Sequence, residues 1–403
     1  MEVENPVIPL RHDSPRCPIC ESCAIIEFLN RDLVPVHQHL LHSDTESASA
    51  ILRGKLAMRL CQDCGFGFNA AFEPELLDYG IQYDNTQTHS EGFNIYLDDL
   101  VRDLIENHGI RNARVVEVGC GKGTFLKKLI SYPGANNTGF GFDPTYRGPE
   151  IDLAGRVQFF QRFYDQTATS IPADVVVCRH VIEHVQFPLE LLHAVRSACI
   201  NASGAKVFFE TPCLEWILRN QVVWDLFYEH CSLFTAFSLT LALTSAGFTG
   251  ISVKHVFGGQ YLWSEGIVGG IDVTRYGSPE DVVTLAQTFN NQEPQLVSDW
   301  YDQLRQYRSQ GRVAIWGAGA KGVTYCNLVD PDQQLLSCVV DENPLKQGKH
   351  IAGTGHKIVA PEELGPLEVA TVLVLNPNYL SEVNSRLRCL GLGVSSVNLM
   401  KAG

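Results

Sequence analysis

The sequence predicts an α/β protein, a doubly wound parallel sheet flanked by a small N-terminal domain and a C-terminal Rossmann-like domain. Three observations predict it. Val115-Val-Glu-Val-Gly-Cys-Gly-Lys-Gly-Thr-Phe125 runs from small apolar residues through alternating glycines into a helical apolar pattern at Phe125, Leu126, Leu129 and Ile130. Val313-Ala-Ile-Trp-Gly-Ala-Gly-Ala-Lys-Gly322 repeats that strand, turn and helix order in the last third of the chain. Cys17-Pro-Ile-Cys20 and Cys61-Gln-Asp-Cys64 form two C-x-x-C knuckles near the start.

A chain of 403 residues has room for three domains at about 150 residues each, expected at 1–88, 89–256 and 257–403. No apolar run approaches the ~20 residues that span a bilayer, and Met1-Glu-Val-Glu-Asn-Pro6 lacks the basic start and apolar core of a secretory signal. A soluble, cytoplasmic protein without membrane contact is expected. The net charge of −14 argues against nucleic acid as a partner, because that binding relies on clustered Lys and Arg. Most of the cysteines outside the knuckles stand singly inside apolar runs, where Cys behaves as a small hydrophobe.

Each cysteine pair can clamp one edge of a tetrahedral ion. Cys17, Cys20, Cys61 and Cys64 then close the shell with four thiolates, so a structural zinc with no open position is expected. Cys23 is a competing ligand, and a redox pair would need a thioredoxin-like βαβ context that the sequence lacks. His37, His39 and His42, between the knuckles, are expected at the surface. From Ala70 to Asn94 turn formers dominate, and Tyr79, Tyr83, Asn85, Gln87 and His89 suit either a ligand-facing loop or a solvated linker. Phe93, Leu97, Leu100, Val101, Leu104 and Ile105 then recur at helical spacing.

The central glycines, Gly119, Gly121 and Gly123, alternate as G-x-G-x-G, whereas a pyrophosphate cradle needs G-x-G-x-x-G. With Glu117 two residues ahead, this turn resembles the first motif of class I methyltransferases, whose ligand is S-adenosylmethionine. Gly139-Phe-Gly-Phe-Asp143 ends a second apolar run in an acid, placed to take both ribose hydroxyls, with Pro144 beside it. Further strands at Val157–Phe160, Asp174–Cys178 and Lys206–Phe209 alternate with helices such as Leu189–Ile200, the pattern of a parallel sheet. Ligands bind such sheets beyond the C-terminal strand ends. That rule puts Glu117, Asp143, Tyr164, Asp165, Arg179 and His180 on one cofactor-binding rim. His180-Val-Ile-Glu-His184 spells the inverted zinc-peptidase pattern, but it follows a strand of a sheet already committed to a nucleoside, so His180 is expected to line the methyl-transfer cleft.

Tyr228, Glu229 and His230 place phenol, carboxylate and imidazole side by side, a set able to run proton transfer near neutral pH. The knuckles, the G-x-G-x-G turn and Tyr-Glu-His-x-Ser, in this order, resemble the deoxysugar C-methyltransferase family of natural-product biosynthesis, which acts on nucleotide-linked 4-keto-sugars. The resemblance implies a zinc ion, S-adenosylmethionine as cofactor and a small nucleotide-linked substrate. It implies His230 as the base that removes a proton next to a ketone, and Glu229 as the group orienting it. Tyr228, Tyr83 or His180 would stabilise the enolate, and Tyr79, Asn85 and Gln87 would meet the substrate.

The last third is expected to hold helices at Glu280–Phe289 and Leu296–Tyr307, the second started by Pro294. Gly317, Gly319 and Gly322 then follow true G-x-G-x-x-G spacing, with Asp341 about twenty residues on, which by itself points to a dinucleotide. Lys321 intrudes where a cation would meet phosphate. The family has a similar glycine–lysine segment followed by an Asp-x-Asn-Pro turn and Lys-x-Gly, so the resemblance implies substrate binding by Gly317, Gly319, Lys321, Asp341, Asn343 and Lys346. The chain departs from the family at Gly258-Gly-Gln-Tyr-Leu-Trp263, where members carry Gly-Gly-Ser and a nearby Arg. Two alternatives to carbon methylation stay open: an O- or N-methyltransferase, and a zinc-stabilised scaffold that only binds nucleotides.

Overall fold

The computed structural model describes residues 15–77, 89–199, 202, 204–269 and 279–400. The expected contacts of Tyr79, Tyr83, Asn85 and Gln87 fall outside the described residues.

The described residues form three sheets. The middle one has eight strands in the order Phe248–Val256, Tyr261–Val268, Lys206–Pro212, Val175–Arg179, Arg114–Val118, Thr138–Phe142, Val157–Phe160 and Ile151–Asp152. Arg114–Val118 pairs in parallel with strands on both sides, so the strand order reverses there and a crevice opens beyond Val118. Burial on both faces explains the unbroken apolar strands. Val116 and Val118 pack on one side with Leu192 and Leu239, while Val115 packs on the other with Leu104 and Leu126. The helix Glu91–Glu106 buries all six residues expected of it and is capped by Ser90, whose side chain accepts from the Phe93 N–H.

The N-terminal sheet pairs Ile25–Pro35, Arg53–Cys61 and Gly67–Asn69 with Ser232–Leu233, a strand supplied by the central segment of the chain. In the C-terminal sheet Ile358–Val359, Leu336–Val340, Arg312–Trp316, Val369–Val374 and Ser395–Asn398 are all parallel, with a second order reversal at Arg312–Trp316.

Two expectations about organisation change. The central sheet runs past residue 256, because Tyr261–Val268 pairs antiparallel with both Phe248–Val256 and Lys206–Pro212. The two helices expected on either side of Pro294 are one helix, Glu280–Gln310, with Pro294 inside it. Proline removes one backbone hydrogen bond, but Val282, Ala286, Phe289 and Leu304, on both sides of it, are all buried in one core cluster and hold the helix together.

Candidate active site

The cofactor-binding rim is built at the end of Arg114–Val118. Gly119, Gly121 and Gly123 all have positive φ, as the tight turn requires. A side chain on Gly121 would meet nothing within 4 Å, so the turn presents bare backbone to open space. Asp143 ties this turn down: Oδ2 accepts the Gly121 N–H at 2.8 Å, and Oδ1 accepts the Thr145 N–H at 2.7 Å and hydroxyl at 2.6 Å. Glu117 is buried and accepts the Leu126 N–H at 3.2 Å. Burial pushes its carboxyl up to about 8, partly offset by Arg179. The Arg179 guanidinium lies 4.7 Å from the Phe125 ring centroid and donates through Nε to Glu210 at 2.5 Å, leaving Nη2 buried without a hydrogen-bond partner among the described residues. Tyr164 packs on Phe142, and its buried hydroxyl likewise has no such partner. Asp165 instead caps its own turn, accepting from Thr167.

Next to this rim a cavity of about 280 Å³ opens between the central and C-terminal domains. His180, Glu183, His184 and His230 line it from one side, and Gly317, Gly319, Lys321, Asp341 and Lys346 from the other. Side chains far apart in sequence therefore share one space. The His230 ring is wedged 4.0 Å from Phe227 and 4.8 Å from His184, centroid to centroid. Its Nδ1 is buried with no hydrogen-bond partner among the described residues. Burial, with His184, His180, His39 and Lys321 nearby, holds this imidazole well below its ordinary value, so it is neutral near pH 7. His180 has the opposite environment. Burial opposes its charge, yet Glu210, helped by Glu183, raises it to about 9. Its φ of 52° is a strained conformation of the kind that clusters at active sites.

Other expected site residues point elsewhere. The Tyr228 ring is fully buried and its hydroxyl accepts the Glu73 N–H at 2.8 Å, so it braces the N-terminal domain and does not line the cavity. Among the described residues Glu229 meets partners other than His230. Its carboxylate accepts the Gln38 N–H at 2.9 Å and lies 3.6 Å from His37 Nδ1. Consecutive side chains leave the backbone in different directions, so adjacency in sequence does not bring all three together. Conversely, His37 is buried and His39 lines the cavity, against the expectation that both are surface residues. The zinc-peptidase arrangement is not formed: donor atoms of Glu183, His184 and His230 lie within 4.8 Å of one another, and His180 is not among them. Glu210 and Tyr96, whose hydroxyl donates to Glu210 at 2.5 Å, were not singled out by sequence, because each stands in an ordinary strand or helix pattern.

In the C-terminal domain a side chain on Gly319 would meet nothing within 4 Å, whereas one on Gly322 would strike the Gly317 carbonyl. Asp341 is engaged within the chain: Oδ2 accepts the Ala318 N–H at 2.8 Å and Oδ1 the Asn343 N–H at 2.9 Å, while Lys346 donates to the Ala318 carbonyl at 3.0 Å. Asn343 accepts the Leu345 N–H and is buried. Lys321 crosses to the central domain, 2.6 Å from Asp225 and 5.5 Å from the Trp216 ring. Pro144 is half-buried beside Asp143.

At the N-terminus the four expected cysteines converge. Sγ–Sγ distances are 3.5 Å for both Cys17–Cys64 and Cys20–Cys61, far beyond a disulfide and near the ~3.8 Å edge of a tetrahedron with Zn–S bonds of about 2.3 Å. The donor set fits a tetrahedral zinc ion. Cys23 is exposed and outside the group.

Residues 93–253 match the methyltransferase domain family, and residues 280–393 match the C-methyltransferase C-terminal domain family. Among curated proteins, a ubiquinone biosynthesis O-methyltransferase of Pseudoalteromonas translucida is 33% identical over 117 residues, 27% of this chain and 48% of that protein. Its counterpart in Erwinia tasmaniensis is 31% identical over 130 residues, 30% of this chain and 50% of its own. This chain thus spans about half the length of the curated relatives it matches. A solved O-methyltransferase family protein from Burkholderia thailandensis is 17% identical, with a TM-score of 0.35, over 44% of this chain and 56% of that one. The chain carries a class I S-adenosylmethionine-dependent methyltransferase domain joined to a C-methyltransferase C-terminal domain. No helix among the described residues is long and apolar enough to cross a membrane.

Proposed function

We propose that this methyltransferase moves the methyl group of S-adenosylmethionine to a carbon next to a ketone of a nucleotide-linked sugar. One observation carries the reading: a neutral imidazole, His230, and a cationic one, His180, line the same cavity as the glycine turn and lysines of the C-terminal domain. A neutral carbon is a poor nucleophile, and enolisation supplies the missing electron density. His230 takes the proton, a step worth typically about 10²–10⁴-fold when the base is positioned. His180 faces the enolate oxygen, and the enolate carbon attacks the sulfonium methyl group, releasing S-adenosylhomocysteine. Asp143 and the Gly119–Gly123 turn hold the nucleoside. Groups pushed to opposite protonation states are the usual mark of an acid–base pair. The nucleotide lies along Gly317–Gly319, with Lys321 and Lys346 offering the cations. Four thiolates hold a structural zinc that joins the N-terminal strands.

Transfer to oxygen is the second reading, favoured by the named activity of the relatives that share the methyltransferase domain. Incubation with S-adenosylmethionine and a panel of nucleotide-linked keto-sugars, read as a methyl mass increase with the methylated atom located by NMR, tests both. Methyl on oxygen or nitrogen would overturn the carbon assignment.

A further inference from the structure

His180 stands between two carboxylates that belong to different elements. Nδ1 is 3.4 Å from Glu183 in the turn that follows, and Nε2 is 3.6 Å from Glu210 in Lys206–Pro212. Both are ion-pair distances, and Nε2 and the Glu183 Oε1 that faces Nδ1 have no hydrogen-bond partner among the described residues. A neutral imidazole carries one N–H and one lone pair, so with either tautomer one ring nitrogen would turn its lone pair towards a carboxylate, whereas the doubly protonated ring is attracted by both. The backbone locks the arrangement, since the His180 N–H donates to the Glu210 carbonyl at 2.8 Å. Both carboxylates are fully buried and held in turn: Glu183 Oε2 accepts the Thr211 hydroxyl at 3.2 Å, and Glu210 accepts from Arg179 and from the Tyr96 hydroxyl.

We infer that Glu183 and Glu210 form a carboxylate clamp that keeps His180 as a resident imidazolium, and that Glu210 is the positioning residue joining this cation to the cofactor side of the cleft. Glu210 reaches both ways because the same carboxylate meets Arg179, whose guanidinium lies against Phe125 at the start of the cofactor-turn helix. The inference deepens the carbon-methylation reading and rests on it for one point, that the His180 cation faces an enolate. A cation already in place needs no reorganisation when negative charge develops, which is where such groups contribute most. It also assigns the roles: a clamped imidazolium cannot take a proton, leaving His230 as the acceptor. The other groups around His180 are Tyr261, in ring contact at 4.6 Å, Arg179, which shares the Glu210 carboxylate with it, and His184, His230 and Lys321, which line the same cavity.

The test uses the full-length, zinc-loaded protein and Glu210→Gln, with Glu183→Gln as a second variant should the first not fold. Ring NMR of histidine-labelled protein, which needs neither acceptor nor turnover, should give a His180 midpoint of about 9 in the native chain. In either variant it should fall by about one to three pH units, the range for losing an adjacent opposite charge. Turnover at pH 7.5 should drop by up to about 10²–10³-fold, as when one oxyanion-stabilising donor is lost. The alkaline limb of kcat should move down with the NMR midpoint, while Glu210→Asp retains most of the native profile. A purely structural role would lower activity at every pH and leave the limb in place. A His180 midpoint unchanged in both variants overturns the clamp. A midpoint that moves while the kcat limb stays fixed leaves the clamp standing and overturns the enolate role of His180.

Discussion

Replacing Asp143 by alanine tests the cofactor reading most directly. The carboxylate accepts three hydrogen bonds within the chain, from Gly121 N–H at 2.8 Å and from Thr145 N–H and hydroxyl at 2.7 and 2.6 Å. A ribose diol would add donors to the same charged acceptor. Hydrogen bonds to an ionised group contribute about 1.5–3 kcal/mol, so Asp143→Ala should weaken S-adenosylmethionine roughly 10- to 150-fold at 1.4 kcal/mol per decade. Part of that loss could travel through a loosened glycine turn. Thr145→Val separates the two routes, because it removes one bond to the carboxylate and keeps the charge; it should cost under about 1 kcal/mol. Isothermal titration with S-adenosylmethionine and with S-adenosylhomocysteine measures both, with melting temperature as the check on folding. A dissociation constant for Asp143→Ala within twofold of native would refute the ribose contact. Equal losses in the two variants would assign the effect to turn geometry.

His230→Asn should leave S-adenosylmethionine binding intact while lowering turnover by about two to four decades, and in deuterated water it should stop label washing into the acceptor's α-carbon; normal exchange without methylation would move the base elsewhere. Binding of the cationic cofactor should release most of one proton at pH 7, because Glu117, raised to about 8 by burial, must ionise to meet it. The sign is that of a raised carboxyl: the free protein loses stability from this group as pH rises from about 4.5 to 8, and bound cofactor restores it. Calorimetry in buffers of different ionisation enthalpy would show the release, and no buffer dependence would sink the idea. One zinc per chain should be found, and Cys61→Ser or chelation should lower the melting temperature sharply, since structural zinc sites contribute on the order of 10 kcal/mol; metal-free protein with unchanged melting would count against it. Lys321→Met should raise the KM for a nucleotide-linked acceptor roughly tenfold or more, from one lost charge-assisted bond, without changing cofactor affinity, and pairing it with Asp225→Asn removes the destabilisation of a carboxylate left buried.

The cradle residues were legible in sequence because they lie within one strand, turn and helix. Backbone conformation there is set by neighbours a few residues apart, so alternating glycines and a following apolar period predict the turn, and the structure adds that its face is open at Gly121. The cysteine knuckles were legible for a related reason, since each C-x-x-C turn is local and tetrahedral ligation leaves few ways to combine the two. Only the tertiary structure decided the rest. Lys321 meets Asp225, and Glu210 gathers Tyr96, Arg179 and His180, across separations that no periodicity encodes. The same distance in sequence hid the burial of His37, the cavity position of His39 and the contact of Glu229 with Gln38. Pro294 showed the reverse, a strong local signal overruled by apolar burial on both sides of it. Sequence determined what the backbone could do within a turn or two. Which charges face each other, and therefore in which direction each imidazole's pKa is pushed, followed from the tertiary packing, because burial and Coulomb energies depend on distance through space.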